Sequence, residues 1–577
     1  MRFRDLAEVF ERLEGTAKRL EMFEILAELF RNTAPDEIAP IIYMSQGRLL
    51  PAFQGLEMAM SEKLLMRALA EATGQTAQEL LHHFKKSGDL GTTAEALLEG
   101  RAGEGLTVVQ VYEELLRIAR TGGGGSVEKK LCNLADLLRA ASSREAKYIA
   151  RFVVGRLRLG VGDATVLEAL ALAKLGERKF KAELERAYNL CSDLGRVGQV
   201  ASEGGRSAIA GIRVQVGYPI RMALCERVAQ PEDIIQKVGR CAVEPKLDGF
   251  RCQIHKNGEE VEIFSRNLER TTAMFPDIAE AVRRQIRAEN IIFEGEALAF
   301  DEGTGELLSF QTTSQRKRKH DVADYAKEFP LKLFAFDLLY ADGEDLTPRP
   351  YIERRKELIA RISQGPIIEP AEAEEVEDPV RLRVIFESTI GRGLEGIVAK
   401  RLDSPYNAGS RNFNWIKLKR SYKGELSDTV DLCVVGYFRG GGKRARFGIG
   451  AVLAAVFDSS SDTFKTICKV GTGFSDEEWV RLRERLDEIA VDHRPARVES
   501  KMVPDVWVQP TFIITVAADE ITRSQLHTAG ADSQGIGYAL RFPRVQGFLR
   551  DDKGAEDATT VSDIIELYDL QKRVKLE

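Results

Sequence analysis

Lys246 has apolar residues flanking it on both sides in the stretch CAVEPKLDGFRCQI (241–254), with Asp248 and Gly249 shortly downstream. A lysine there is costly to bury unless its charge or its amine is used. By itself the pattern is weak, because a strand running into a surface turn produces it too. The residues that follow add weight. EIFSRN offers Arg266, IIFEGEALAF carries Glu294 and Glu296, and LKLFAFDLLY places Phe336 in an apolar run. LEGIVAKR offers Glu395 and Lys400, and RNFNWIKLKR offers Arg411, Lys417 and Lys419. In a strand, Lys417 and Lys419 point to one face. Taken singly, Phe336 reads as core, the two lysines as a solvated strand face, and Glu296 as an edge-strand charge. Together, cations and carboxylates on separate strands of one domain point to a pocket for a polyphosphate and a metal.

The elements that must position these residues change in kind along the chain. From Met1 to about Ala210 apolar residues recur at helical spacing, as in LAEVFERLEGTAKRLEMFEILAELF and VVQVYEELLRIA. TGGGGS (121–126) lacks a following GK[ST] and a preceding strand, so it reads as an interhelical turn. A further helix opens within 157–173, with Asp163 or Thr165 as its expected cap. Beyond Ala210, β-rich runs are expected at 241–246, 250–256, 260–265, 291–300, 331–340, 396–401 and 413–419. The Asn-Gly of HKNGEEVEIF signals a hairpin. Helices intervene at PDIAEAVRRQIRAE and IERRKELIARI, which makes this an α+β region. From about Tyr422, short strands with glycine turns and one helix, SDEEWVRLRERLDEIA, suggest a small β-barrel of the oligonucleotide-binding type.

A chain of 577 residues is too long for one ordinary core. Its 44% hydrophobic and 30% charged residues suit folded domains rather than disorder. No apolar run reaches the length of a membrane span, and the N-terminus reads as an amphipathic helix, not a signal peptide. Seven scattered cysteines without a CxxC pair argue against a zinc ribbon or a disulfide framework and suit the cytoplasm. The net charge of −6 gives no hint of a polyanion partner, so any nucleic-acid surface must be local.

The order KLDG (246–249), FSRN, FEGE, FAFDLLY, EGIVAK and WIKLK, with RFPR (541–544) and RDDK (550–553) beyond, resembles the ordered motifs of the covalent nucleotidyltransferases, polynucleotide ligases and messenger-RNA capping enzymes. Glu294 stands where that family usually has Asp. The match of RDDK is clear, and Arg544 is left unaligned. Within the superfamily the chain resembles ATP-dependent DNA ligases of the archaeal and eukaryotic replicative type. GDLG (88–91) and RFVVGRLRLGVGDATVLEALA (151–171) in the helical third, and DEITRS and DDKGAEDATT in the last third, are similar to that family.

The resemblance implies a helical DNA-binding domain over 1–210, an adenylation domain over 211–420 and an OB-fold domain over 421–577. It implies an AMP-lysine at Lys246. Phe336 would stack on adenine with Glu244 beside the base, and Arg266 and Glu296 would lie at the ribose. Arg411 would act near the phosphates. Glu296 and Glu395 would lie at Mg²⁺, with Mn²⁺ as the alternative. Arg251, Lys417 and Lys419 would make the surroundings cationic and, with partial burial, lower the Lys246 pKa. RDDK would orient pyrophosphate. Arg156 and Arg158 are candidate contacts to a duplex, with a salt-bridged helix surface as the competing reading. The expected substrate is nicked double-stranded DNA, in replication, repair and recombination. The protein is expected to be a monomer off the membrane, in the cytoplasm or at a prokaryotic nucleoid. A sliding clamp is an implied partner, although no clamp-binding peptide stands out. An RNA-joining or capping enzyme and a non-catalytic nucleic-acid clamp are the alternatives.

Overall fold

The structure is a computed structural model that describes the chain except residues 17, 59, 158, 229, 302–304, 309, 319–320, 393, 420–428, 441–445, 519, 551 and 575–577. The chain divides into two compact units. One comprises Met1–Glu185, Asp193–Gly211 and Thr429–Gln571; the other comprises Arg186–Ser192, Ile212–Asp428 and Lys572–Glu577. The expected boundary at 420/421 falls outside the described residues.

Among the described residues no strand precedes Leu224, and the first part of the chain is helical from Phe3–Glu14 to Leu194–Ala210. The TGGGGS segment joins helices Val108–Arg120 and Ser126–Ala140, in keeping with an interhelical turn. The capping expectation at Asp163 or Thr165 is not met. Helix Asp163–Lys174 has Gly162 as its N-cap and no side-chain cap. The Asp163 carboxylate instead accepts from Gln46 Nε2 at 2.9 Å, and Thr165 is buried inside the helix.

GDLG and RFVVG turn out to interlock. Asp89 caps helix Leu90–Leu97 by accepting from the Thr92 amide, and also accepts from Arg151 Nε at 3.0 Å. Arg151 Nη1 donates to Glu14 at 2.7 Å. A Cβ on Gly91 would sit 2.5 Å from the Arg151 side chain, so glycine there is the space the guanidinium occupies. The same unit contains a second buried set of charges. Asp462 accepts from Arg19 at 2.7 Å and from Arg497 at 2.6 Å, and Arg497 also meets Glu556 at 2.8 Å.

In the other unit the strands are β1 (Leu224–Arg227), β2 (Cys241–Pro245), β3 (Phe250–Asn257), β4 (Glu260–Ser265), β5 (Asn290–Ala299), β6 (Leu331–Ala341), β7 (Glu344–Asp345), β8 (Ile368–Pro370), β9 (Glu374–Val376), β10 (Gly396–Arg401) and β11 (Arg411–Lys419). They form two sheets. The first has the order β1-β11-β10-β2-β9; the second runs β4-β3-β5-β6-β7, with β8 paired to β6. Asn257 pairs with Glu260, so the hairpin loop is Gly258-Glu259, with Gly258 at φ 57°.

Each sheet buries alternate residues under helices. Ile254, Phe293, Leu333 and Ala335 pack against helix Pro276–Gln285. Val243, Ile397, Ala399, Ile416 and Leu418 pack beside helices Pro231–Val238 and Pro379–Gly391. The period of two then sends the intervening residues of both sheets the other way. There Ile292, Leu339, Tyr406 and Trp415 form a third apolar cluster, with Phe336 against it.

The last segment of the chain contributes β12 (Val430–Phe438), β13 (Ala451–Asp458), β14 (Thr463–Val470), β15 (Ala490–Val491), β16 (Val498–Glu499), β17 (Val506–Val508), β18 (Ile513–Ala517), β19 (Glu520–Ser524), β20 (Gly537–Arg541) and β21 (Arg544–Gly547). Their main sheet runs β15-β17-β12-β13-β14-β16, and β18 joins β12 to β21. The expected helix is present at Asp476–Glu488, opened by a Ser475/Glu478 capping box.

Candidate active site

Alternation on two facing sheets is what gathers the site. In β11, Ile416 and Leu418 go to the helix-side core, so Trp415, Lys417 and Lys419 share the opposite face. In β10 the same logic sets Val398 and Lys400 apart from Ile397 and Ala399, and in β2 it separates Glu244 from Val243. In β5, Glu294 and Glu296 lie on the face of Ile292, and in β3 Arg251 alternates with buried Cys252. In β6, Phe336 alternates with Ala335.

Lys246 sits just past β2, where its amide donates to the Gly396 carbonyl at 2.8 Å. Gly396 has φ 151°, and a Cβ there would lie 2.0 Å from the Leu418 carbonyl, so only glycine allows this approach. Gly249 is equally confined, with a virtual Cβ 2.4 Å from the Ala297 carbonyl. Its amide donates to Glu296 Oε1 at 3.2 Å. The Lys246 amine meets Glu395 Oε2 at 2.5 Å, and Lys419 meets the same oxygen at 3.4 Å.

These contacts correct one expectation. Burial does act to lower the Lys246 pKa, but Glu395, helped by Glu296 and Asp248, outweighs it and holds the amine above its ordinary value. Burial also raises Glu395, yet Lys246 and Lys419 bring it below the usual carboxylate range. Burial prevails at Glu296, which is pushed up to about 7 despite Lys246 and Arg251. Lys246 is thus held protonated by its carboxylate neighbour, while Glu296 is a carboxyl that burial makes harder to ionise.

A second cluster adjoins it. Glu244 is buried and accepts from Lys400 Nζ at 2.9 Å and from the Tyr351 hydroxyl. Lys400 lies 4.4 Å from the ring centroids of both Phe336 and Trp415. Phe336 is half-buried, packs edge-on against Trp415 at 6.0 Å and has Arg251 at 5.5 Å. Arg251 donates to Glu294 Oε2 at 2.9 Å and to the Ala223 carbonyl at 2.7 Å. Asp337, next to Phe336, forms a fully buried two-point ion pair with Arg354 at 2.8 and 3.0 Å, which braces β6.

Contacts thus join Lys246, Glu296, Glu395 and Lys419 into one group, and Glu244, Lys400, Phe336 and Arg251 into its neighbour. Lys417 and Arg411 lie on β11, with Arg411 opposite Leu224, and Arg266 is exposed in the turn after β4. Lys400, Trp415 and Tyr406 carry more of the pocket than the motifs alone suggest. The signal for Lys400 was the same as for Lys246, a lysine inside an apolar strand.

Among the described residues no three His, Cys, Asp or Glu side chains converge as metal ligands. Glu296 and Glu395 are still the kind of hard oxygen pair that holds Mg²⁺ together with substrate phosphates. In the other unit, Arg550 is bound twice by Asp552 at 2.7 Å and Lys553 pairs with Asp431. Asp551 of RDDK lies outside the described residues, as does Arg158. Arg156 forms an ion pair with Glu62 at 2.7 Å. No helix among the described residues is long and apolar enough to cross a membrane.

Comparison with known proteins decides what this arrangement belongs to. Residues 2–171 match the DNA ligase N terminus, residues 222–419 the ATP dependent DNA ligase domain, and residues 445–553 the ATP dependent DNA ligase C terminal region. A probable DNA ligase of Dictyoglomus thermophilum is 52% identical over 577 residues, covering 100% of this chain and 99% of that protein. The chain belongs to the ATP-dependent DNA ligase family. A DNA ligase of Staphylothermus marinus is 44% identical over 593 residues, covering 99% of each chain. Among solved structures, a mycobacterial DNA ligase D complexed with ATP and MES is 25% identical, with a TM-score of 0.32, covering 59% of this chain and 98% of that one. As a member of the ATP-dependent DNA ligases, this chain has the three parts of that architecture in order: a helical N-terminal part, an adenylation domain and a C-terminal domain.

Proposed function

We propose that this ATP-dependent DNA ligase seals nicks bearing a 5′-phosphate and a 3′-hydroxyl through an AMP-lysine formed at Lys246. The observation that carries the reading is the Lys246–Glu395–Lys419 group, set beside the faces of two sheets that carry Phe336, Arg251 and Glu296. Lys246 Nζ attacks the α-phosphorus of ATP, and pyrophosphate leaves. AMP then passes to the 5′-phosphate of the nick, and the 3′-hydroxyl displaces it. Only the neutral amine is nucleophilic. The proton on Nζ therefore has to leave first, passing to solvent, and the ionised Glu395 is the group that keeps it on the amine until then. Lys417, Lys419 and Arg411 balance the phosphate charge that develops. Phe336 stacks on adenine, with Glu244 beside the base. Arg266 and Glu296 serve the ribose side, and Arg251 adds to the cationic surroundings. Glu296 and Glu395 would hold Mg²⁺, or Mn²⁺, which when bound would supply positive charge to the phosphates.

In the same reading, 1–210 grips duplex phosphates, 211–420 adenylates, and 421–577 is an OB-fold carrying RDDK to the pyrophosphate. The setting is cytoplasmic replication, repair and recombination, with a sliding clamp as partner. Incubation with α-labelled ATP tests the core of this. A covalent label on Lys246, chased into product by nicked DNA, is expected. Transfer to nicked RNA or to a diphosphate-ended RNA instead would favour the RNA enzymes, and absence of any label would leave a non-catalytic clamp.

A further inference from the structure

Tyr406 lies in the connection between β10 and β11, in the stretch SPYNAG, which none of the nucleotide motifs includes. It is 5% exposed. Its hydroxyl accepts from the Ala223 amide at 2.8 Å and donates to Glu294 Oε2 at 2.9 Å. Arg251 makes the complementary pair of bonds, to the Ala223 carbonyl and to the same Glu294 oxygen. The four groups therefore close a ring: Tyr406, Glu294, Arg251 and Ala223. Glu294 is fully buried, and its other oxygen accepts from Gln253 Nε2 at 3.2 Å. Its charge is thus distributed over Arg251, Tyr406 and Gln253, and each lost donor leaves a buried carboxylate less well satisfied.

The ring joins the two sheets. Tyr406 hangs from the sheet containing β10 and β11, whereas Glu294 and Arg251 belong to β5 and β3 of the other sheet. The Tyr406 ring packs edge-on against Trp415 at 5.8 Å, and Trp415 packs against Phe336. Arg251 lies 5.4 Å from the Trp415 centroid and 5.5 Å from that of Phe336. The arginine nearest the aromatic platform is therefore fixed through a tyrosine from the opposite sheet.

We infer that Tyr406 is a positioning residue for ATP: through Glu294 it locks the Arg251 guanidinium at the edge of the Phe336–Trp415 platform, so that the nucleotide meets a preformed cation. This rests on the proposed nucleotide site. A guanidinium held in place loses less freedom when ligand binds. Burial and the adjacent carboxylate keep the Tyr406 hydroxyl protonated, so it remains a donor across the working pH range.

Tyr406→Phe keeps the ring against Trp415 and removes only the hydroxyl. For AMP-lysine formation by the full chain, the KM for ATP is expected to rise about tenfold, with the rate at saturating ATP changed less than about twofold. Arg251→Ala should raise KM at least as much, and adding Tyr406→Phe to Arg251→Ala should raise it no further. Glu294→Gln, which keeps the shape and weakens the lock, provides the same readout should Tyr406→Phe fold poorly. An unchanged KM in Tyr406→Phe with a raised KM in Arg251→Ala overturns the positioning role and leaves the nucleotide site standing. Fully additive effects also overturn it. An unchanged KM in Arg251→Ala overturns the placement of the nucleotide itself.

Discussion

A buried and a half-buried cation of this molecule behave in opposite ways. Arg151 in the helical part is held by Asp89 and Glu14, and each partner does a second structural job: Asp89 caps a helix and Glu14 accepts from Tyr148. Every charge there is matched, and the geometry is closed by the missing side chain of Gly91. Lys246 shares one carboxylate with Lys419, while Glu296 beside it is pushed up to about 7. The first arrangement serves folding. The second is left unbalanced, and a ligand bringing phosphates and a metal would restore the balance. Incomplete pairing, more than burial, separates the chemical site from the structural one.

The largest expected effect is on the proposed nucleophile. Lys246→Ala should abolish labelling by ATP, leave stability nearly unchanged and retain part of the sealing of a pre-adenylated nick. Equal labelling of variant and parent would remove Lys246 from the chemistry. Arg151→Ala should do the reverse. It strands two carboxylates and should cost about 3–5 kcal/mol in denaturant unfolding, while AMP-lysine still forms below the melting range. Loss of labelling with unchanged stability would erase the contrast. Phe336→Ala should weaken ATP use by roughly 1–3 kcal/mol, the worth of stacking on a base. Normal ATP affinity in a protein that melts early would make Phe336 core.

The smallest effect is a difference of sign with pH, in metal-free protein. Asp89 and Glu14 both sit below their ordinary values: burial opposes this, and Arg151 prevails. Their contribution is complete above the unfolded values and is lost as pH falls through the lower folded ones. Glu296 runs the other way. The folded chain keeps a proton up to about 7 that the unfolded chain releases near 4.5, so this contribution fades as pH rises across that window. Unfolding curves of Arg151→Ala and Glu296→Gln should flatten the acid and the near-neutral limbs respectively. Flattening of the same limb by both would contradict the assignment.

The seven expected β runs correspond to β2, β3, β4, β5, β6, β10 and β11, because period-two alternation on a half-buried surface is a local signal. β1, β8 and β9 were not legible: they are three or four residues long, and only their partners hold them. The helices Pro231–Val238 and Pro379–Gly391 also went unread, although each opens with proline at its first position. The motif residues were legible by type and order. Their pairings were not. Nothing in the chain before folding says that Glu395 would take the Lys246 amine and reverse its expected pKa shift, or that Glu294 would tie Arg251 to a tyrosine 112 residues away. Such partners are chosen by which faces of the two sheets meet.

The ion pair of Arg19 with Asp462 joins residues 443 positions apart. One compact unit is thus assembled from an early and a late part of the chain, with most of the other unit falling between them in sequence. During synthesis, at roughly 5–20 residues per second, Arg19 waits roughly 20–90 s for its partner to be made. The adenylation region has emerged by then. The helical first part must stay folded or protected alone through that interval, and its own closed networks, such as Arg151 with Asp89 and Glu14, are what it has to do so.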